Sequence, residues 1–71
     1  MKQQVIVVTG TRERENELMK MVNTVRTTTS IKAWPNVDYG AVFFPVDIHD
    51  QEFICSVLRN KGFEFVVEDA Q

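Results

Sequence analysis

Cysteine, histidine, glycine and proline are scarce in this chain of 71 residues, which has one cysteine, one histidine, three glycines and two prolines. The lone Cys55 cannot form a disulfide within the chain, and without a CxxC pair or a Cys/His cluster the sequence provides no zinc ligands. No hydrophobic run approaches the ~20 residues of a membrane span. Residues 5–8 form an apolar stretch shorter than the roughly 7–15 residues of a signal-peptide core. We therefore expect a cytoplasmic protein without disulfide, metal, cofactor or membrane span.

The short length also limits stability. We predict one domain over residues 1–71, and a domain of this size buries only about 60% of the surface that its unfolded chain exposes. Small domains compensate with disulfides, metals or oligomerisation. Since the sequence offers neither a disulfide nor a metal site, oligomerisation is the remaining means of stabilisation.

Charge is spread unevenly along the chain. The net charge is −2, which argues against general binding to nucleic acid because such binding needs many cations to neutralise phosphates. Residues 1–37 hold six Lys or Arg and three Asp or Glu, whereas residues 38–71 hold two and seven. Such asymmetry can orient a partner or a second copy.

Two segments, residues 5–8 and 41–44, are continuous apolar runs. A strand has this pattern when both of its faces are shielded from water. The sequence contains only two amphipathic helical patterns, and two helices cover one face of a small sheet. A second copy or another protein is therefore expected on the opposite face.

The residue pattern predicts two helices. The first follows Gly10, has Thr11 as its N-cap and carries an apolar stripe at helical spacing: Leu18, Met21, Val22 and Val25. The second begins after the cap Asp47 and ends at Gly62, which fits the left-handed C-cap position. Its stripe is Phe53, Ile54, Val57 and Leu58.

Four strands are predicted around these helices, at residues 4–9, 30–34, 41–44 and 63–68. The threonines at 27–29 favour extended structure, residues 35–40 form a hairpin loop, and Pro45 must lie where the third strand ends. The order βαββαβ is that of the ferredoxin-like sandwich, an α+β fold. It implies an antiparallel sheet of strand order 4-1-3-2 with both helices on one face. The apolar first and third strands are then central.

Gly10, Thr11 and Arg12 lie where the first strand meets the first helix. Amides at a helix start can hold an anion, and Arg12 can add a charged bond. The string Val8-Thr9-Gly10-Thr11-Arg12 resembles the VTGSR opening of nucleotide-binding Rossmann-like proteins. That resemblance implies a small anion or nucleotide binder, although the chain is shorter than a Rossmann half.

Residues 37–44, on the third strand, resemble the RNP1 strand of RNA-recognition motifs. Tyr39, Gly40, Val42 and Phe44 match that pattern, Asp38 stands where glycine is expected, and Ala41 replaces a stacking aromatic. The resemblance implies an RNA-binding module. The net charge and the absence of an aromatic from the first strand argue against nucleic acid as a partner.

No residue set indicates catalysis. His49 lies beside Asp47 and Asp50 but has no nucleophile or second ligand nearby in the sequence. Cys55 lies between apolar helix residues, where nothing adjacent lowers its pKa. We predict that the chain is not an enzyme.

The sequence therefore predicts a small protein-binding or regulatory module that acts through its open sheet face, as a homodimer or with a larger protein. The predicted interface residues are Ile6, Val8 and Phe43, or their neighbours of opposite parity, together with Trp34 and Tyr39. Two alternatives stay open: the RNA-binding module and the anion binder at Gly10, Thr11 and Arg12.

Overall fold

The computed structural model describes residues 3–70, so Met1, Lys2 and Gln71 of the predicted domain lie outside the described residues. The described part of the chain forms four strands, two helices and one short 3₁₀ turn. In chain order these are β1 (Gln3–Thr9), the 3₁₀ turn (Arg12–Arg14), α1 (Glu15–Thr28), β2 (Lys32–Pro35), β3 (Ala41–Phe44), α2 (Ile48–Lys61) and β4 (Glu64–Ala70).

The strands form one antiparallel sheet with the order β2-β3-β1-β4. This is the predicted order 4-1-3-2, and the α+β fold has the ferredoxin-like arrangement. As predicted, the two apolar strands β1 and β3 are central. Pro45 directly follows the last residue of β3, where its missing amide hydrogen interrupts no ladder bond.

The core lies between the helices and one face of the sheet. Ile6, Val8, Ala41 and Phe43 are fully buried there, whereas the residues between and beside them of opposite parity, Val5, Val7, Val42 and Phe44, are half-buried. Among residues 3–70, thirteen apolar residues make up this core: Ile6, Val8, Leu18, Met21, Val22, Val25, Ile31, Ala33, Ala41, Phe43, Ile54, Leu58 and Phe63. The predicted α1 stripe is buried in full. In α2 only Ile54 and Leu58 are fully buried, whereas Phe53 is exposed.

Both ends of α2 agree with the sequence prediction. The backbone N–H of Asp50 donates to Oδ1 of Asp47 at 2.9 Å, which caps the first turn. Gly62 has φ 76°, and its N–H donates to the carbonyl of Arg59. The N–H of Phe63 donates to the carbonyl of Leu58 at 3.0 Å, which closes the C-terminus.

The start of α1 differs from the prediction. Thr11 is extended and its hydroxyl makes no capping bond; instead its carbonyl accepts the N–H of Arg14 at 3.1 Å. This bond forms the 3₁₀ turn, so α1 begins at Glu15, four residues after the predicted cap. The predicted hydroxyl cap at Thr11 is therefore wrong.

The threonine run belongs to the helix rather than to an extended segment. α1 continues to Thr28, and the hydroxyls of Thr28 and Thr29 each donate at 2.7 Å to the carbonyl four residues earlier. These bonds are additional to the backbone bonds of the last turn, where the N–H of Thr29 also donates to the carbonyl of Val25. The N–H of Ile31 then donates to Oγ1 of Thr29, and β2 starts at Lys32, two residues later than predicted.

The β2–β3 hairpin contacts the end of β1 through its turn. Asp38 and Tyr39 both have positive φ, and the N–H of Gly40 donates to the carbonyl of Val37 at 3.0 Å. Two consecutive positive φ angles are typical of the primed turns that suit twisted hairpins. A Cβ on Gly10 would lie 1.8 Å from the Tyr39 carbonyl oxygen, so only glycine permits this approach.

Arg14 joins the start of α1 to the end of α2. Its guanidinium donates to the carbonyls of Lys61 and Gly62 at 2.6 and 3.2 Å and to Oε1 of Glu17 at 3.0 Å. It also lies 3.8 Å from the ring centroid of Phe63. A cation at this place satisfies carbonyls at a helix C-terminus and offsets its negative dipole end.

Replacement of Arg14 by methionine keeps an aliphatic stem over Phe63 but removes the charge and the donors. We expect R14M to lower the free energy of unfolding by about 1–2 kcal/mol. The matched control is R12M, because the side chain of Arg12 is exposed and makes no hydrogen bond within residues 3–70. Urea unfolding measures the free energy of unfolding of both variants. Equal decreases for R14M and R12M would show that the bonds of Arg14 do not stabilise the fold.

Candidate interaction surface

One face of the sheet is covered by no element among residues 3–70. We call this the open face. The pairing register places Trp34 of β2 opposite Val42 of β3, and Val42 opposite Val7 of β1. Val7 in turn lies opposite Val66 of β4. Directly paired residues of an antiparallel sheet share a face, so these four form one apolar row across the whole sheet.

The two ends of the apolar row are its most exposed members. Trp34 is 46% exposed and Val66 is 53% exposed, whereas Val7 and Val42 on the central strands are half-buried. Valine and tryptophan side chains at these exposures leave contiguous apolar area in water, and such patches mark interaction sites.

A second row on the open face carries opposite charges at its ends. Lys32 pairs with Phe44, and Val5 pairs with Glu68. Ile6 pairs with Phe43 in the antiparallel ladder between β1 and β3. The next position along β3, Phe44, therefore lies opposite the preceding position on β1, Val5. The two pairs thus form one row across the sheet. The row thus has a lysine on the β2 edge, two apolar residues at the centre and a glutamate on the β4 edge.

Near the lysine end of this row the open face is concave. A shallow depression of about 380 Å³ is lined by Gln3, Val5, Ser30, Lys32, Phe44 and Val46. On the other side of the apolar row, Thr9 pairs with Glu64. Glu64 and Glu68 therefore lie on the same face and the same edge.

The β2 edge carries a second cation. The guanidinium of Arg26, on α1, lies 4.3 Å from the ring centroid of Trp34, a cation–π distance. Because α1 packs on the covered face, Arg26 brings positive charge to the sheet edge from the other side. The β2 edge is basic and the open-face side of the β4 edge is acidic.

The structure corrects the choice of parity among the predicted interface residues. Ile6, Val8 and Phe43 lie on the covered face and are at most 2% exposed, so they are core residues beneath the helices. The open face is formed by their neighbours of opposite parity, chiefly Val5, Val7, Val42 and Phe44, together with Val66. A run that is apolar at every position does not reveal which parity faces the helices.

Trp34 and Tyr39 occupy different places. Trp34 ends the apolar row, whereas Tyr39 is 43% exposed in the hairpin turn, outside the row.

Sequence reasoning did not single out Val66. The alternation of β4 contained the signal, since Val66 lies between Glu64 and Glu68 and therefore shares the face from which those carboxylates reach water.

Gly10, Thr11 and Arg12 do not converge with other cationic residues. Gly10 is packed against the Tyr39 carbonyl, and the backbone N–H of Arg14 already donates to the Thr11 carbonyl in the 3₁₀ turn. The guanidinium of Arg14 is directed to the end of α2. Three acidic residues follow in the chain, Glu13, Glu15 and Glu17. This geometry gives the anion-binding alternative little support.

The resemblance to RNP1 does not extend to the face on which its stacking position lies. Ala41, at a position where RNA-recognition motifs have a stacking aromatic, is fully buried on the covered face. A larger aromatic there would lie under the helices rather than against a base. The open face also carries Glu64 and Glu68, and Lys32 is its only strand cation within residues 3–70. Both features argue against RNA binding by this face.

The acidic residues around His49 act as helix caps. Asp47 accepts the N–H of Asp50, and Oδ2 of Asp50 accepts the N–H of Val46 at 3.1 Å. His49 is exposed. Within residues 3–70 no group of three His, Cys, Asp or Glu side chains is arranged to hold a metal ion.

Cys55 is half-buried on α2. Burial raises the pKa of its thiol above the ordinary value, and the nearby charge of Arg59 offsets part of this increase. A raised pKa leaves less thiolate at neutral pH, and the thiolate is the nucleophile.

Comparison with family models, curated proteins and solved structures finds no match to this chain. Neither helix of the described residues has the length and hydropathy needed to cross a membrane. Function is therefore inferred from the geometry of the surface alone.

The raised pKa of Cys55 predicts slow alkylation. We expect iodoacetamide to modify the native protein several-fold more slowly at pH 8 than it modifies the protein unfolded in urea. The two rates should converge as the pH rises and the native thiol ionises. Mass spectrometry of timed samples measures both rates, and equal rates at pH 8 would contradict the pKa increase.

The assignment of faces predicts opposite behaviour for two adjacent phenylalanines. Replacement of Phe43 by alanine should lower the free energy of unfolding by about 3–5 kcal/mol or abolish folding, because it empties the core. Replacement of the half-buried Phe44 should cost roughly 1 kcal/mol in the monomer. Urea unfolding at low protein concentration separates the two, and an F44A variant as unstable as F43A would contradict the assignment.

Proposed function

We propose that this chain is a non-enzymatic, cytoplasmic binding module that associates with a second copy of itself through the open face. The supporting observation is the apolar row of Trp34, Val42, Val7 and Val66, which crosses all four strands without a polar residue. Contact with a partner removes this row from water, which is favourable by roughly 25 cal/mol per Å² of apolar area.

A second copy suits this face because the face is complementary to itself. It has apolar residues along its middle, the cation Lys32 on the β2 edge and the carboxylates of Glu64 and Glu68 on the β4 edge. Two sheets can pack face to face at about 10 Å with their side chains interdigitated. A partner of one charge would leave one of the two edges unmatched.

The size of the face sets the expected affinity. Four strands about 4.8 Å apart and about five residues long present roughly 19 by 17 Å. Such an area is below the standard interface of about 800 Å² per partner, so we expect a weak dimer that dissociates in the micromolar range. A reversible dimer of this kind can act as a stoichiometric regulator whose form depends on concentration.

Two observations favour binding over catalysis. The core of residues 3–70 contains no buried polar or charged side chain. His49 and Cys55, which belong to residue types that can serve as base or nucleophile, lie on α2, where the imidazole is exposed and burial raises the pKa of the thiol. Neither contributes to the open face.

The proposal predicts a dimer that a single charge disrupts. Wild-type protein should change from monomer to dimer between low micromolar and millimolar concentration. Replacement of Val7 by lysine places a cation at the centre of the apolar row and should raise the dissociation constant about a hundredfold or more. Sedimentation velocity across that concentration range measures the mass.

Val37→Lys is the matched control. Val37 is 74% exposed in the hairpin loop, away from the apolar row, so its replacement should leave the dissociation constant unchanged. Circular dichroism of both variants checks that they are folded. A wild-type chain that stays monomeric at millimolar concentration would overturn the proposal, and so would equal weakening by V7K and V37K.

A further inference from the structure

We infer that the two copies are related by a two-fold axis parallel to the strands, which places Lys32 of each copy opposite the partner's Glu68. This inference rests on the proposed homodimer and specifies its arrangement. It comes from the charge layout of the open face, which neither the fold nor the apolar row determines.

Within one chain these two charges are too far apart to pair. Lys32 lies on β2 and Glu68 on β4, which are separated by three strand spacings, or about 14 Å. Neither side chain makes an ion pair within residues 3–70. Both are exposed on the open face, at opposite ends of the row that contains Phe44 and Val5.

A face-to-face pair of sheets with aligned strands allows two directions for the axis. An axis parallel to the strands places the β2 edge of each copy over the partner's β4 edge. An axis perpendicular to the strands places β2 over β2 and β4 over β4. This second arrangement stacks the acidic edges on each other and the basic edges on each other, whatever the position of the axis along the strands. Charge repulsion therefore disfavours it.

The apolar residues agree with the parallel axis. In that arrangement each row faces the same row of the partner in reversed order. Trp34 then lies opposite the partner's Val66, Val42 opposite the partner's Val7, and Phe44 opposite the partner's Val5. Every apolar residue of the two rows meets an apolar residue, while Lys32 and Glu68 meet each other at both ends of the interface.

Reversing one charge at a time tests this pairing. K32E and E68K should each weaken the homodimer at least tenfold, because each creates two pairs of like charge per dimer. A mixture of the two variants should recover dimerisation. In the mixed dimer the carboxylate introduced by K32E faces the ammonium introduced by E68K, and the unaltered Glu68 of one chain faces the unaltered Lys32 of the other. Native mass spectrometry of the mixture resolves homodimers from the heterodimer.

Glu64→Lys is the matched control, because Glu64 lies on the same strand and face as Glu68 but opposite no charged residue in this arrangement. We expect E64K to change the dissociation constant less than threefold. If the wild type dimerises but the mixture gains no heterodimer, or E68K tightens the homodimer, then the axis is wrong and the proposed function stands. If the wild type and V7K are both monomeric, the proposed function itself fails.

Discussion

The helices cover only one face of the sheet, and this constraint determines how the rest of the molecule is organised. Two helices bury one parity of β1 and β3, so Ile6 and Phe43 become core residues while Val7 and Val42 stay half-buried on the other side. A chain of this length has no further element among residues 3–70 to place there. The apolar residues of the open face are therefore shielded by no other part of residues 3–70.

The charged residues of the open face lie on the two edge strands of the sheet. Apolar side chains lie on the central strands, whereas Lys32 is on β2 and Glu64 and Glu68 are on β4. Edge residues retain contact with water even when the centre of a face is covered, so ionised groups are tolerated there. The uneven charge noted along the sequence becomes a basic edge and an acidic edge in the fold.

Most of the fold could be predicted from the sequence because its signals were local. Gly62 and Asp47 fix the ends of α2, and the order of elements with two apolar strands fixes the topology. The start of α1 could not be predicted, because the Thr11 carbonyl rather than its hydroxyl makes the first bond. The threonine run was assigned by intrinsic propensity, a weak signal that the tertiary context of α1 overrides. The parity of the interface residues could not be predicted, because valine and phenylalanine fill both sides of a central strand.

The guanidinium of Arg14 connects parts of the chain almost fifty residues apart. It reaches carbonyls at Lys61 and Gly62 from the beginning of α1. Helix ends ordinarily fray independently of one another. Opening of the C-terminus of α2 breaks bonds that Arg14 makes from the start of α1, so we expect this side chain to slow local opening at that end.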